Sequence, residues 1–282
     1  MIDRITEQPF CQTRVSGSTF VNADCFDVFP SIPDKSIDAI ICDLPYGTTQ
    51  NKWDSILPLD KLWEQYNRVL KENGVIVLFS SQPFTSALVM NNPKLFKYEW
   101  IWEKAVGSNF AVAKYQPLKE HENILVFSKG KTIYNPIKEE RKGSGKARLK
   151  NGYKSNGTST EVYGGLQSNR MGKEYEDLKY PSSVQYFNNR DKDRGMHPTQ
   201  KPIALYKWCL HRFASVGYKI LDTHLGSQSS RISAYKAGLD FTGYELDSEY
   251  FEQGNARFNE FVSKYAPADI EPINKQGQIK LF

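Results

Sequence analysis

Hydrophobic positions along the 282 residues follow two patterns, continuous apolar runs and longer stretches with helical spacing. A short continuous apolar run predicts a strand that is buried on both faces. Six stretches predict strands: "SIDAIICD" at 36–43, "GVIVLFS" at 74–80, "YEWIWE" at 98–103, "ENILVFS" at 122–128, "YKILD" at 218–222 and "FTGYEL" at 241–246.

Four stretches between or after these strands carry apolar residues at helical spacing. One begins at Asp60 and is predicted to stop at Gly74, and another begins near Pro202. Strands that alternate with helices predict an α/β fold with a mainly parallel, twisted sheet covered by helices on both faces. The predicted buried faces hold Leu62, Trp63, Tyr66, Val69 and Leu70 in the first helix, and Ala204, Leu205, Trp208, Cys209 and Phe213 in the second; the other two helices are "SSRISAYKAG" at 229–238 and "SEYFEQGNARFNEFV" at 248–262.

The composition, with 39% apolar and 24% charged residues, is typical of a soluble globular protein. No stretch predicts a membrane-spanning helix, and the start "MIDRITEQPFCQTRV" lacks the apolar core of a signal peptide. The four cysteines and four histidines are too dispersed to predict a disulfide framework or a metal site. We therefore expect a cytoplasmic protein with no membrane partner and no bound metal.

The basic charge is concentrated in residues 131–195, which hold 14 Lys and Arg against 8 Asp and Glu, whereas the remainder holds 23 against 24. Lysine and arginine neutralise phosphates, and aromatic rings stack on bases or wedge between them. A solvated basic loop is the alternative interpretation of this composition. The aromatic residues interleaved with these charges are Tyr134, Tyr153, Tyr163, Tyr175, Tyr180, Tyr186 and Phe187.

The predicted strand at 36–43 ends on Asp43, and Leu44, Pro45 and Tyr46 follow it directly. Ligands of α/β proteins bind beyond the carboxyl ends of parallel strands, so these side chains stand where chemistry is expected. A simple strand-ending turn is the alternative, because Asp and Pro are common turn residues.

A second strand, "YKILD", ends on Asp222 and leads through a small-residue turn containing Gly226 and Ser227 into a helix. The next predicted strand begins nineteen residues after Asp222 and carries Glu245 at its end. Amides at such a turn face an adenosine-containing cofactor, and an acid on the second strand binds ribose hydroxyls. The sequence has no G-x-x-x-x-G-K-[ST] loop, which favours a cofactor with a ribose and no phosphate.

Four motifs together resemble the bacterial and phage DNA amino-methyltransferases of the permuted β group. "DLPY" at 43–46 is similar to their catalytic motif, "HPTQKP" at 197–202 to the segment before their cofactor half, "DTHLGSQSS" at 222–230 to their cofactor turn, and "GYELDSEYFE" at 243–252 to their ribose-binding strand. The resemblance implies a Rossmann-like methyltransferase fold with an inserted target-recognition region. Its implied divisions are a catalytic half at 18–130, the insertion at 131–195, a cofactor half at 196–262 and a tail at 263–282.

The resemblance further implies transfer of a methyl group from S-adenosyl-L-methionine to the N6 amine of an adenine flipped out of a specific sequence in double-stranded DNA. The implied catalytic residues are Asp43, Leu44, Pro45 and Tyr46; Leu44 replaces a proline of the family and supplies the same backbone carbonyl. A homodimer and a cognate restriction nuclease are left open. The implied cofactor-binding residues are Asp24, Cys25, His197, Thr199, Lys201, Asp222, Leu225, Gly226, Ser227, Glu245 and Leu246.

Three alternatives stay open at this point. A cytosine-N4 enzyme is disfavoured because Asp43 is typical of the adenine enzymes, and an RNA or protein amide methyltransferase is disfavoured by the basic insertion. The third is a DNA-binding homologue whose catalysis is weakened by Gln228, which stands where the family has the last glycine of a G-S-G turn. If Gln228 has a positive φ, we expect strain there, weaker cofactor binding, and tighter binding after Gln228→Gly.

Overall fold

The computed structural model describes residues 11–15, 17–48, 54–150, 177–190 and 200–264. Within these ranges, no helix is long and apolar enough to cross a membrane. In chain order the strands and helices are β1 (Cys11–Val15), β2 (Ser18–Asn22), α1 (Cys25–Val28), β3 (Ile37–Asp43), α2 (Leu59–Val69), β4 (Leu70–Ser80), α3 (Phe84–Asn91), β5 (Phe96–Ser108), β6 (Lys119–Phe127), β7 (Glu139–Glu140), α4 (Ser144–Lys150), β8 (Leu178–Lys179), β9 (Val184–Phe187), α5 (Ile203–Phe213), β10 (Lys219–Asp222), α6 (Ser229–Lys236), β11 (Asp240–Glu245) and α7 (Ser248–Lys264).

Nine of these strands form one sheet in the order β1-β2-β11-β10-β3-β4-β6-β5-β9. Five neighbouring pairs are parallel: β2 with β11, β11 with β10, β10 with β3, β3 with β4, and β5 with β9. Strand β6 runs antiparallel to both of its neighbours, and β1 runs antiparallel to β2. The predicted α/β fold with a mainly parallel sheet and helices is confirmed.

The central strands are apolar along their length because both faces of the sheet are covered. Ile41 and Val77 point into one buried cluster, which also receives side chains of α5. Ile40 and Ile76 point into the cluster on the opposite face, which receives side chains of α2. Successive residues of a strand point to opposite faces, so a run without polar alternation is the expected sequence of such a strand.

Two details of the predicted helices are wrong. The first helix ends at Val69 rather than just before Gly74, because Leu70 already has extended dihedral angles and pairs with Ile37 across β3 and β4. The pairing buries Leu70 in the sheet core, which outweighs its helical preference. In α5, Ala204 is exposed instead of lying on the buried face, whereas Leu205 and Trp208 are buried as predicted.

Contacts within the chain define a second, smaller compact unit over residues 136–182. Its described part holds the short antiparallel pair of β7 and β8, with Glu139 opposite Lys179, and helix α4. Strand β9 begins after this unit and belongs to the main sheet, where Val184 pairs with Ile101.

The parallel register brings several strand ends to one edge of the sheet. Asp43, the last residue of β3, pairs with Phe79 near the end of β4, and Asp222, the last residue of β10, pairs with Gly243. Because β6 is antiparallel to β4, its first residues lie at this same edge. The edge therefore gathers Asp43 and Asp222, two of the three acids predicted to act at strand ends, and we call it the carboxyl edge.

Candidate active site

Asp43 is fixed at the carboxyl edge by contacts with two other side chains. Its Oδ2 lies 2.6 Å from Lys201 Nζ, and its Oδ1 accepts a hydrogen bond of 2.9 Å from the Tyr46 hydroxyl. Leu44 and Pro45, which connect Asp43 to Tyr46, are buried, so the backbone between the two functional side chains is packed against the core. The structure thus brings together Asp43, Tyr46 and Lys201, which lie up to 158 positions apart in the sequence.

A second carboxylate, that of Glu122 on β6, completes this cluster. Its Oε2 lies 3.2 Å from both the Tyr46 hydroxyl and Lys201 Nζ, and its Oε1 lies 2.5 Å from Lys104 Nζ. Sequence analysis missed Glu122 and Lys104. The only signal was a charge beside an apolar strand, in "WIWEK" and "HENILVF", and it does not reveal that the antiparallel register joins them.

The cluster contains two acids and two lysines, and burial and the neighbouring charges shift the pKa values of Asp43, Glu122 and Lys201. Burial raises the pKa of Asp43; Lys201 opposes that rise, and Glu122 adds to it. Burial also acts to raise the pKa of Glu122, but Lys201 and Lys104 outweigh it, so the pKa of Glu122 lies below its ordinary value. The desolvation of Lys201 is likewise outweighed by Asp43 and Glu122, which hold its pKa above the ordinary value. The lysines therefore oppose protonation of both carboxylates in a poorly solvated site, and for Glu122 they outweigh the effect of burial.

Aromatic rings surround the ammonium of Lys201. Its Nζ lies 5.3 Å from the ring centroid of Tyr46, 5.5 Å from that of Phe79 and 5.9 Å from that of Trp102. The Tyr46 ring itself stacks on Phe84 with a centroid distance of 5.6 Å. Phe79, Phe84 and Trp102 are buried, whereas Tyr46 is only partly buried. Tyr46 is therefore the ring beside Asp43 that a planar heterocyclic substrate could reach.

The turn after β10 is held against β11 by backbone and carboxylate contacts. Glu245 accepts hydrogen bonds from the amide of Gly226 at 2.7 Å on Oε2 and from the amide of Asp247 at 3.0 Å on Oε1. The amide of Leu225 donates to the carbonyl of Tyr244 at 2.9 Å. A Cβ added to Gly243 would lie 2.3 Å from the Leu225 side chain, so only glycine permits this close approach.

The chemistry of this turn fits a ribose rather than a phosphate. Burial raises the pKa of Asp222 to about 6 and also raises the pKa of Glu245. Each Glu245 oxygen accepts one amide and keeps a second lone pair, which can accept from a hydroxyl. A phosphate would be repelled by two neighbouring carboxylates, whereas a neutral diol is bound by them. The residues present therefore fit the adenosine part of S-adenosylmethionine.

The other described residues predicted to bind the cofactor lie after β2, which pairs with β11 on one side, or in the turn after β10, which pairs with β11 on the other, or follow β11 itself. Strand β2 pairs with β11, and directly after it Asp24 caps α1 by accepting from the amide of Phe26 at 2.8 Å. Cys25 is buried, and Leu246, which follows β11, is 66% exposed. Ser227 is buried in the turn, where its carbonyl accepts a hydrogen bond from Arg257 of α7. His197 and Thr199 lie outside the described residues.

Gln228 has φ 64°, in the left-handed region, so the condition for strain in the cofactor turn is met. Its side chain, however, is completely buried. Its Oε1 accepts a hydrogen bond of 2.9 Å from Arg231 Nη1. Its Nε2 lies against α7, where a Cβ added to Gly254 would be 2.3 Å away. Because Gly254 has no side chain, α7 leaves room for the side chain of Gln228.

Known proteins resemble the chain in both sequence and fold. The DNA adenine methyltransferase YhdJ of Escherichia coli (strain K12) is 27% identical over 280 residues, covering 92% of this chain and 88% of its own. The solved structure of the M1.HpyAVI complex with SAM matches with a TM-score of 0.57 at 21% identity, covering 85% of this chain and 99% of that one.

A further solved structure, the cytosine-N4-specific PvuII DNA methyltransferase, matches with a TM-score of 0.59 at 12% identity, covering 87% of this chain and 90% of that one. The sequence of residues 37–256, which extends from the first residue of β3 into α7, matches the N6/N4 DNA methylase family. This match includes the Asp43 cluster and the turn between β10 and β11 and covers most of the chain. The protein therefore belongs to the DNA methylase family.

Proposed function

We propose that the protein methylates the N6 amine of an adenine in a specific sequence of double-stranded DNA. Membership of the family makes it an S-adenosylmethionine-dependent DNA methyltransferase that acts on N6 of adenine or N4 of cytosine. The observation that carries the proposal is the Asp43 carboxylate, held by Lys201 and Tyr46 at the carboxyl edge. The likeness to an adenine methyltransferase over 92% of the chain supports adenine as the base.

Asp43 would orient and activate the amine. The lone pair of an exocyclic amine is delocalised into the base, so nitrogen is a weak nucleophile. Hydrogen bonds from the amine to Asp43 and to the carbonyl of Leu44 favour a tetrahedral nitrogen and stabilise the positive charge that develops on it. When bound, S-adenosylmethionine supplies the electrophilic methyl group.

The bonds change in one displacement that needs no covalent link to the protein. The bond between nitrogen and the methyl carbon forms as the bond between sulfur and that carbon breaks, and the nitrogen then loses one proton. Asp43, which would accept a hydrogen bond from the amine, would also take up that proton, and the charge of Lys201 favours its ionised form beforehand. Alignment and charge stabilisation supply most of the acceleration in such a reaction.

Tyr46 would bind the base itself. A base inside a duplex must be rotated out of the stack, which costs about a few kcal/mol. Stacking against an aromatic side chain offsets that cost by about 1–3 kcal/mol. The ring of Tyr46 lies next to Asp43 and is supported from behind by Phe84, so its position is fixed before the base arrives.

The cofactor would lie across the turn between β10 and β11. We assign the ribose to Glu245, the adenine side to Asp24 and Cys25, and the turn contacts to Asp222, Leu225, Gly226, Ser227 and Leu246. We assign His197 and Thr199 to the methionine end of the cofactor. Lys201 was also predicted to bind the cofactor; its pairing with Asp43 supports a role in positioning the catalytic carboxylate.

Recognition of the DNA sequence would belong to residues 131–195. Their basic excess supports this assignment, and their place between Asp43 and Asp222 is that of the target-recognition region in the permuted β group. Residues 136–182 of this segment form a compact unit by their contacts, which supports an exchangeable recognition module.

Nucleoside mass spectrometry of DNA from a host expressing the protein tests the choice of base. We expect N6-methyladenine above the level of a host expressing Asp43→Ala. N4-methylcytosine in its place would identify the protein as a cytosine enzyme, and the absence of both products would contradict the proposed activity.

A further inference from the structure

The connection between β5 and β6, residues 109–118, exposes large apolar side chains at the surface. Tyr115 is 88% exposed and Phe110 is 59% exposed, with Val112 and Leu118 exposed beside them. Contiguous apolar residues on a protein surface commonly mark a site of interaction. We call residues 109–118 the aromatic loop.

The aromatic loop is ordered by its own backbone. Asn109 has φ 69° and begins a turn of 3-10 helix at Phe110–Val112. The amide of Val112 donates to the carbonyl of Asn109 at 3.2 Å, and the amide of Tyr115 donates to the carbonyl of Val112 at 2.9 Å. Tyr115 is therefore presented by a hydrogen-bonded turn, which limits the conformational entropy lost when its ring meets a partner.

The loop lies at the carboxyl edge, next to the catalytic cluster. It is closed by the pairing of Ser108 with Lys119, the first residue of β6. Lys119 precedes Glu122 by three residues, which is about 10 Å along a strand. Lys119 Nζ also donates to the carbonyl of Gln82 at 3.3 Å, in the connection that follows β4.

Two lysines lie beside the exposed rings. The aromatic loop itself carries Lys114, Lys119 follows it directly, and the acids Glu103, Glu120 and Glu122 lie on the flanking strands. Lys104 is paired with Glu122, which leaves Lys114 and Lys119 as the cations that flank the exposed rings. Basic side chains around an aromatic ring favour nucleic acid over an apolar protein surface, because they neutralise phosphates while the ring stacks on bases.

We propose that Tyr115 enters the DNA duplex beside the target and stacks in the space that the flipped base leaves. This inference rests on the proposed function and adds to it a second contact with the base stack, distinct from the pocket around Asp43. Removing a base from the stack exposes the faces of its neighbours, and an inserted side chain covers them again. Lys114 and Lys119 would hold the adjacent phosphates.

The proposal is tested with Tyr115→Ala, Tyr115→Phe and Met90→Ala. Met90 on α3 is 74% exposed and serves as a control for the loss of an exposed apolar side chain. The recognition site is first mapped by sequencing that detects modified bases in DNA methylated by the wild-type protein. Single-turnover methylation and the fluorescence of 2-aminopurine at the target position are then measured on duplexes that contain the site.

We expect Tyr115→Ala to slow methylation of paired DNA by about 5- to 150-fold, the range that corresponds to loss of one stacking contact. The rise in 2-aminopurine fluorescence on binding should also be smaller for Tyr115→Ala than for wild type. Tyr115→Phe and Met90→Ala should resemble wild type in both rate and fluorescence. On a duplex whose target faces an abasic position, flipping is easier, so the defect of Tyr115→Ala should shrink.

Equal rates and equal fluorescence for Tyr115→Ala and wild type on paired DNA would overturn the proposal. A defect of the same size on paired and abasic duplexes would also overturn it, because it would assign Tyr115 to general binding rather than to filling the stack. If wild type itself methylates no DNA, the proposed function fails and the inference fails with it. If wild type is active, the rates and fluorescence of Tyr115→Ala relative to wild type decide whether Tyr115 fills the base stack.

Discussion

Gln228 Oε1 accepts a hydrogen bond from Arg231 Nη1 at 2.9 Å, so the residue that interrupts the glycine pattern of the cofactor turn also binds a buried arginine. Arg231 is fully buried, and burial lowers its pKa to about 9. Its guanidinium lies 3.7 Å from the ring centroid of Phe258 and 3.3 Å from Asn255 Oδ1. Gln228 therefore affects stability in two ways: its left-handed backbone is strained, and its side chain helps to solvate the charge of Arg231.

This relationship changes the expectation for Gln228→Gly. Glycine would relieve left-handed strain of about 1 kcal/mol. It would also remove a hydrogen bond to a buried charge, which contributes about 1.5–3 kcal/mol. We expect Gln228→Gly to bind S-adenosylmethionine no more tightly than wild type in calorimetric titration; clearly tighter binding would show that strain dominates.

The fit between Gln228 and Gly254 gives a paired prediction. Gly254→Ala places a Cβ 2.3 Å from Gln228 Nε2, and such overpacking destabilises by about 1–3 kcal/mol. In the double variant Gln228→Gly, Gly254→Ala the clash is absent, so the effect of the alanine should largely disappear. Denaturant unfolding of the four proteins measures this coupling, and additive effects would contradict a direct contact.

Lys201 is predicted to control the ionisation of Asp43. Lys201→Met removes the positive charge that opposes the effect of burial, so the pKa of Asp43 should rise further. Because the ionised carboxylate is the active form, the acid limb of the single-turnover rate should move to higher pH. Lys104→Met is the matched control, since Lys104 contacts Glu122, and it should shift the limb less. If the acid limb of the rate lies at the same pH in Lys201→Met and wild type, Lys201 does not control the ionisation of Asp43.

Asp222 is predicted to reduce stability at neutral pH. Its folded pKa of about 6 lies above its ordinary value of 3.8, so the folded state binds the proton more tightly and loses stability as pH rises between these values. Asp222→Asn stays neutral and should be more stable than wild type at pH 8, by up to about 3 kcal/mol.

The same substitution removes a carboxylate from the cofactor turn, so S-adenosylmethionine binding should weaken while stability rises. The difference in unfolding free energy should vanish below about pH 4, where wild type is also protonated. Denaturant unfolding at pH 4 and pH 8 provides the comparison. A variant that is less stable at pH 8 and binds the cofactor normally would contradict this interpretation of Asp222.

DNA specificity is predicted to move with residues 136–182, the compact unit within the basic segment. Replacing this unit with the corresponding unit of a relative should change the methylated sequence to that of the relative. Strand β9 is kept in the exchange because it pairs with β5 in the main sheet. Sequencing that detects modified bases gives the result, and an unchanged site would place recognition elsewhere.

The central strands could be predicted from sequence because their burial on both faces leaves a local signal. The run from Ile37 to Cys42 is buried throughout, and its strand ends on the predicted Asp43. The acids Asp222 and Glu245 lie at strand ends as predicted, because the carboxyl ends of parallel strands converge in any fold of this class.

The cluster around Asp43 was only partly predictable because its other members depend on tertiary register. Glu122 reaches Tyr46 across 76 positions through an antiparallel strand whose direction no local pattern specifies. Helix α2 ends early for a similar reason, since the pairing of Leu70 with Ile37 is not encoded in the helical spacing. The burial of Gln228 likewise required knowing that α7 presents Gly254 to it.

The central claim is that Asp43 activates a DNA amine for methylation, and single-turnover transfer of radiolabelled methyl from S-adenosylmethionine to DNA tests it most directly. The comparison uses wild type, Asp43→Asn and Asp43→Ala, with circular dichroism and the Kd for S-adenosylmethionine as controls for folding and cofactor binding. We expect both variants to fold, to bind the cofactor, and to lose about 100-fold or more in rate, as when a group that stabilises developing charge is removed. Transfer by either folded variant within about tenfold of wild type would contradict the account.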